Sequence, residues 1–189
     1  MISAIVLAAG EGRRFGGTKQ LEIVRGKPLV QHAVDAAAGA EVDEIVVVLG
    51  HDAEPVRAAL ALPPHARVVV NARYAEGQSM SLATGLDALD PTSEAAVVLQ
   101  ADQPGIEARH VRSLVTAYRD ERPEVLRIRF RDGPGPALIA QSVWPEVMSL
   151  EGDTGARALF DADPDRGRWL AFDEDAPVDV DVRNDLERA

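Results

Sequence analysis

The apolar positions of this chain follow two rhythms. Short continuous runs of strand length alternate with stretches in which apolar residues recur every three or four positions, the spacing of one helix face. Residues 3–8, 44–49 (EIVVVL), 67–70 and 95–100 (AAVVLQ) are the runs. Residues 53–60, 78–89 (QSMSLATGLDAL) and 107–118 carry the helical spacing. Pro28 opens a further helical stretch, PLVQHAVDAAAGA, in a first-turn position that proline tolerates. A continuously apolar strand is covered on both faces, the condition of a parallel sheet. The alternation therefore predicts an α/β layered fold around a mostly parallel sheet. Beyond residue 124 the rhythm loosens into a run at 125–130, a Gly/Pro turn at 133–136 and a run at 137–141, which predicts an antiparallel excursion. A helix over 153–162, short strands at 169–172 and 178–180, and a helical turn at 184–188 complete the expectation. No repeat, low-complexity segment or linker interrupts the chain, which reads as a single domain over residues 1–189.

Composition narrows the chemistry. With no cysteine, thiolate metal sites, disulfides and cysteine nucleophiles are excluded. No apolar run reaches membrane-spanning length, and the N-terminus lacks the basic segment of a signal peptide, so a cytoplasmic location is expected. The net charge of −11 makes nucleic acid and anionic membranes poor partners. That charge is unevenly spread. Residues 1–30 hold five basic and two acidic side chains, a net of +3, which leaves −14 on the rest. A basic patch on an acidic protein points to a small anionic ligand.

The patch coincides with a glycine-rich loop after the first strand, LAAGEGRRFGGTKQ over residues 7–20. Its Gly10, Gly12 and Gly16 are spaced one residue too long for a dinucleotide fingerprint. Gly12 and Gly17 have P-loop spacing, but Thr18 precedes Lys19, the reverse of the P-loop order. Ligands of open parallel sheets bind beyond the carboxyl ends of the strands. The other informative residues fall at such ends: Asn71 with Ser79 and Ser81 behind it, and Asp102 in Asp102-Gln103-Pro104. Glycines admit backbone N–H groups to a phosphate chain, Arg14 and Lys19 can neutralise it, and Asp102 can hold Mg²⁺. A second carboxylate could come from Asp179 or Asp181 in VDVDV. Each has a plainer reading as well: Asp102 as a turn residue, Ser79 and Ser81 as helix caps, Asp179 and Asp181 as exposed positions of an edge strand. The four histidines have no metal-ligand spacing, no G-x-S-x-G elbow surrounds Ser79, and Trp144 and Trp169 read as core or rim.

L-A-A-G-x-x-x-R-F-G-x-x-K, from Leu7 to Lys19, resembles the opening motif of nucleotidyltransferases related to molybdenum cofactor guanylyl- and cytidylyltransferases. Four further segments support the resemblance in order: N-x-x-Y-x-x-G-x-x-x-S-L from Asn71, A-D-Q-P from Ala101, G-D-T-G-A-R from Gly152 and D-V-D-x-x-x-D-L from Asp179. Lys27-Pro28-Leu29 is a minor fifth. The resemblance implies a Rossmann-like three-layer α/β/α nucleotidyltransferase fold with a mostly parallel mixed sheet. It implies that the opening loop (Leu7, Ala8, Ala9, Gly10, Gly12, Arg13, Arg14, Lys19) wraps a nucleoside triphosphate. Asn71, Ser79 and Ser81 would contact the nucleotide, and Asp102 and Asp181 would hold Mg²⁺, with Asp179 as the alternative ligand. Arg14, Lys19 and Asp102 are the implied catalytic residues. The second alanine of LAAG resembles the cytidine users. The implied reaction is transfer of CMP from CTP to the terminal phosphate of molybdopterin, with transient contact to a molybdenum hydroxylase. The same residues also fit a guanylyltransferase of that cofactor, a cytidylyltransferase of isoprenoid or sugar-phosphate type, or a non-catalytic nucleotide-binding chaperone. One segment departs: residues 133–138 (GPGPAL) lack the histidine many relatives carry there, on the acceptor side.

Overall fold

The computed structural model describes residues 1–155 and 167–189. In chain order the strands are β1 (Ile2–Ala8), β2 (Ile23–Val24), β3 (Lys27–Pro28), β4 (Glu44–Leu49), β5 (Ala66–Val70), β6 (Ala95–Gln100), β7 (Val125–Arg129), β8 (Pro134–Ala140) and β9 (Gly167–Ala171). The α-helices are α1 (Leu29–Ala38), α2 (Ala53–Ala59), α3 (Gln78–Asp87), α4 (Ala108–Glu121) and α5 (Trp144–Met148). Seven strands form one sheet in the order β5-β4-β1-β6-β8-β7-β9. β1 pairs in parallel with β4 and β6, and β5 continues the parallel half. β8 runs antiparallel to both β6 and β7, which is the expected excursion, and β9 lies parallel to β7.

Every residue of β1 and β4 is buried, as their continuous apolar runs require. Alternate side chains serve opposite layers. Ala4 and Val6 pack with Val30 and Val34 of α1 and Val111 and Leu114 of α4. Ile5 and Leu7 pack with Leu82 and Leu86 of α3 and Val147 of α5. The result is the three-layer α/β/α arrangement. Burial of each such Leu or Ile stabilises the fold by roughly 1.5–3 kcal/mol. Gly85 lets α3 approach the centre of the sheet, since a Cβ there would lie 2.6 Å from Ile5 Cγ2.

One expectation changes. Residues 178–180 form no strand. Val180 is fully buried in a small cluster with Phe15, Val24 and Leu29, and its N–H donates to the Asp102 carbonyl at 2.9 Å. The alternation in VDVDV therefore reflects one anchored valine in an extended segment, with no ladder beside it. The β2–β3 hairpin and α5 were not legible in the pattern, because two-residue strands and a five-residue helix do not run through two full periods of either signal. The hairpin turns at Arg25 and Gly26, both at positive φ (47° and 84°), the requirement of a tight two-residue turn. The helix expected over 153–162 lies mostly outside the described residues, as does Arg157 of the G-D-T-G-A-R segment.

Candidate functional site

The loop after β1 is fixed by its own backbone. Gly12 sits at φ +62°, and its carbonyl accepts hydrogen bonds from the N–H groups of Phe15 (3.0 Å) and Gly16 (2.9 Å). A side chain at Gly12 would collide with the Gly17 carbonyl oxygen, so this position needs glycine for space as well as for φ. Phe15 anchors the loop in the Val180 cluster. Gln20, only 2% exposed, donates from Nε2 to the carbonyls of Ala8 (3.1 Å) and Gly10 (2.7 Å). This amide ties both sides of the loop to the end of β1. Sequence reasoning missed Gln20. Its signal was a polar residue between the loop lysine and an apolar residue.

A cavity of about 340 Å³ opens in front of this loop. Its walls are residues 7–13, Lys19 and Gln20, residues 100–102 at the end of β6, and Tyr74, Gly77, Gln78 and Ser81 around the start of α3. Lys19 and Asp102 therefore share one cavity. The ammonium of Lys19 is 14% exposed and lies 2.8 Å from Asp102 Oδ2, 3.0 Å from the Val180 carbonyl and 3.5 Å from Asp181 Oδ1. Arg14, largely exposed, meets the other oxygen of Asp181 at 3.1 Å and does not line the cavity. Arg13 lines it and pairs with Glu11.

The remaining candidates divide. Ser81 lines the cavity and accepts a hydrogen bond from Asn71 Nδ2 at 3.0 Å. Asn71 is buried behind it, its Oδ1 accepting the Arg73 N–H at 2.8 Å, so it supports Ser81 from outside the lining. Ser79 is also buried off the cavity, and its hydroxyl has no protein partner. Neither serine caps α3; the helix begins at Gly77, at φ +118°, where a side chain would collide with Gly152. Asp153, at the start of the stretch expected to be helical, stands on the cavity wall.

Asp179 and Asp181 go to different places. A second cavity of about 530 Å³ lies beside the first and shares Leu7, Gln78, Gln100 and Asp153 with it. Asp179 and Gln103 line this second cavity and are bonded to each other at 2.7 Å. Loss of solvation pushes the Asp179 carboxyl above its ordinary range; the Gln103 amide opposes this, while Asp102 and Asp181 reinforce it. Asp181 lines neither cavity and reaches the first only through its contact with Lys19; its backbone is set by Asp185, whose carboxylate accepts the N–H groups of Val182 and Asp181, each at 2.8 Å. Those two bonds hold Asp185 below the usual carboxylate range. Asp102 and Gln103, consecutive residues beyond β6, thus face different cavities, and of the two aspartates of D-V-D only Asp179 lines one.

Two carboxylates reaching one ammonium form a donor set that suits Mg²⁺, which takes one or two carboxylates and completes its shell with phosphate oxygens and water. Among the described residues, no group of three or more His, Cys, Asp or Glu side chains converges as a metal site. The histidines serve elsewhere: His32 bonds the Val24 carbonyl, and His110 is buried between Phe130 and Phe172.

A parallel sheet with a cation-bearing glycine loop after its central strand, and a carboxylate at the end of the neighbouring strand, is the α/β nucleotidyltransferase fold. Comparison with known families places the chain within it: residues 4–167 match the MobA-like NTP transferase domain, and the chain belongs to that family. A relative from Paenarthrobacter nicotinovorans, nicotine blue oxidoreductase, is 32% identical over 99% of this chain and 95% of its own length. The bifunctional protein GlmU of Burkholderia thailandensis is 36% identical over 74% of this chain, which spans only 31% of that protein. Among solved structures, Rv0371c of Mycobacterium tuberculosis superposes with a TM-score of 0.87 at 31% identity, covering 99% of this chain and 95% of that one. A manganese complex of Rv0371c matches with a TM-score of 0.84 at 30% identity, covering 99% and 96% of the two chains. Among the described residues, no helix is long and apolar enough to cross a membrane.

Proposed function

We propose that the chain is a Mg²⁺-dependent cytidylyltransferase of the cytoplasm that transfers CMP from CTP to the terminal phosphate of molybdopterin bearing molybdenum. The observation that carries this reading is the meeting of Lys19 and Asp102 in one cavity, 2.8 Å apart. A polyphosphate in that cavity lies between a cation from the front of the chain and a carboxylate from the end of β6. The glycine loop supplies backbone N–H groups, and Arg13, Arg14 and Lys19 supply positive charge to the β- and γ-phosphates. Ser81, held by Asn71, contacts the nucleotide, with Ser79 packed behind. Asp102 and Asp181 are the carboxylates for Mg²⁺, which when bound neutralises phosphate charge. Asp179 is assigned away from the metal because Gln103 holds it on the second cavity.

The second cavity takes the acceptor, since it adjoins the first and is lined by residues 133–137. An acceptor phosphate oxygen attacks the α-phosphorus of CTP, the bond from that phosphorus to the bridging oxygen breaks, and pyrophosphate leaves in line. The attacking phosphate is already ionised at neutral pH, so this chain supplies position and charge and needs no general base. The manganese complex of Rv0371c supports divalent-metal use. The second alanine of LAAG, Ala9, supports cytidine as the base. The product passes to a molybdenum hydroxylase by transient contact.

A second reading has a specific observation behind it. The relative matched over nearly the whole chain is named an oxidoreductase. A loop that binds the diphosphate of a triphosphate also suits the diphosphate of a dinucleotide hydride donor. Turnover separates the two. Labelled CTP, Mg²⁺ and extracted molybdopterin release pyrophosphate under the first reading. Bleaching of nicotine blue by a hydride donor, without pyrophosphate release, supports the second. CTP binding without either reaction makes the chain a chaperone, and a thermal shift selective for GTP overturns the cytidine assignment.

A further inference from the structure

The two cations proposed for phosphate are paired with the two carboxylates proposed for the metal. Lys19 bridges Asp102 and Asp181, and Arg14 takes the second oxygen of Asp181. The Val180 carbonyl completes the ammonium's contacts. Lys19 is thus an internal monovalent cation seated where a divalent one would be held. We propose that this four-residue cluster selects the complex of a divalent cation with a triphosphate over either component alone. The inference rests on the functional reading above and extends it.

The argument is one of exchange. A divalent cation arriving alone must displace the Lys19 ammonium from Asp102 and leave it without a counter-charge. A triphosphate arriving alone draws Lys19 and Arg14 away and leaves Asp102 and Asp181 facing each other uncompensated. When both arrive, the partners swap: carboxylates to metal, cations to phosphate. No charge is stranded. The partly buried setting makes stranding unfavourable, because Lys19 is 14% and Asp102 26% exposed, so solvent screens them poorly. Arg14 is 75% exposed and contributes less to the effect. Coupling of this kind is reciprocal: metal tightens nucleotide as much as nucleotide tightens metal.

The test measures Mn²⁺ binding to the full chain by electron paramagnetic resonance, and CTP binding by calorimetry in EDTA and in saturating Mn²⁺. Wild type is expected to bind Mn²⁺ alone weakly, and to bind CTP on the order of tenfold or more tightly with Mn²⁺ than without. Lys19→Met removes the internal cation, so its affinity for Mn²⁺ alone rises by roughly tenfold while its CTP–Mn²⁺ coupling falls. Lys19→Arg keeps the cation and stays near wild type. Equal Mn²⁺ affinity in wild type and Lys19→Met overturns the proposal, as does CTP binding that ignores metal; the nucleotidyltransferase reading survives both. If Lys19→Met does not fold, the wild-type coupling alone decides. Absence of binding by any triphosphate, with or without Mn²⁺, overturns the functional reading and this inference together.

Discussion

The first cavity lies over the parallel half of the sheet, the second reaches from β1 and β6 across to the antiparallel β7 and β8, and the two differ in what lines them. The first is walled by the glycine loop, residues 7–13, together with Lys19, Asp102 and the start of α3. The second is walled by Arg127, Asp132 and Asp179 around Gly133 and the start of β8. Backbone N–H groups in a tight loop make a generic phosphate receptor, indifferent to what the phosphate is attached to. Side chains from separate elements make a receptor that reads shape and charge, and here they bring Arg127 together with Asp132, Asp153 and Asp179.

The sharpest way to break this contrast is Lys19→Ala. It is expected to lower kcat by on the order of 10²- to 10³-fold, by analogy with loss of one preorganised donor to developing charge. Pyrophosphate release measures it. Unchanged turnover would remove the first cavity from the chemistry.

Gly12→Val comes next. Forcing a branched side chain to φ +62° against the Gly17 carbonyl introduces roughly 1–3 kcal/mol of local strain. Affinity for CTP should fall about tenfold, read by calorimetry, with the far-ultraviolet circular dichroism of the sheet retained.

Asp179→Asn probes the other cavity. The KM for the acceptor should change by several-fold while the KM for CTP stays within about twofold, because a lost hydrogen bond to a charged group acts only where it is made. Because asparagine has no carboxyl to titrate, any acidic limb that Asp179 contributes to the rate profile should also disappear. A matching loss of Mn²⁺ affinity would return Asp179 to the metal.

The smallest effect concerns the segment that carries Asp179 and Asp181. Glu174, two residues beyond Phe172, is held below its ordinary carboxylate range by Arg109 and then His110. A depressed acid stabilises the fold above its unfolded pKa and loses that contribution as pH falls through its folded value. Glu174→Gln should therefore lower Tm at neutral pH, with the difference narrowing below about pH 4, the ordinary carboxylate range. Thermal unfolding at the two pH values checks it.

Much of the first cavity was legible in advance. The strands of the parallel half announce themselves as unbroken apolar runs, and β4 and β6 have the bounds that the runs give. The loop announces itself by glycines among cations. The positions of Asn71, behind Ser81 and off the wall, and of Gln103 and Asp179, on the other cavity, were not legible. Strand-end residues alternate in direction, and the direction each takes depends on what crosses over it. The Val180 segment does that crossing here, and its valine was mistaken for part of a strand because burial of one residue in a side cluster gives the same alternation as a ladder.

By itself the sequence determined the α/β layering, the buried centre of the sheet and the presence of a cationic glycine loop, because each is written in residues close together along the chain. Only the tertiary structure decided that Lys19 meets Asp102, 83 residues away, and Asp181, 162 residues away, while Asp179 turns to the other cavity. Those contacts follow from strand order and from where a loop anchors, and periodicity carries no record of either.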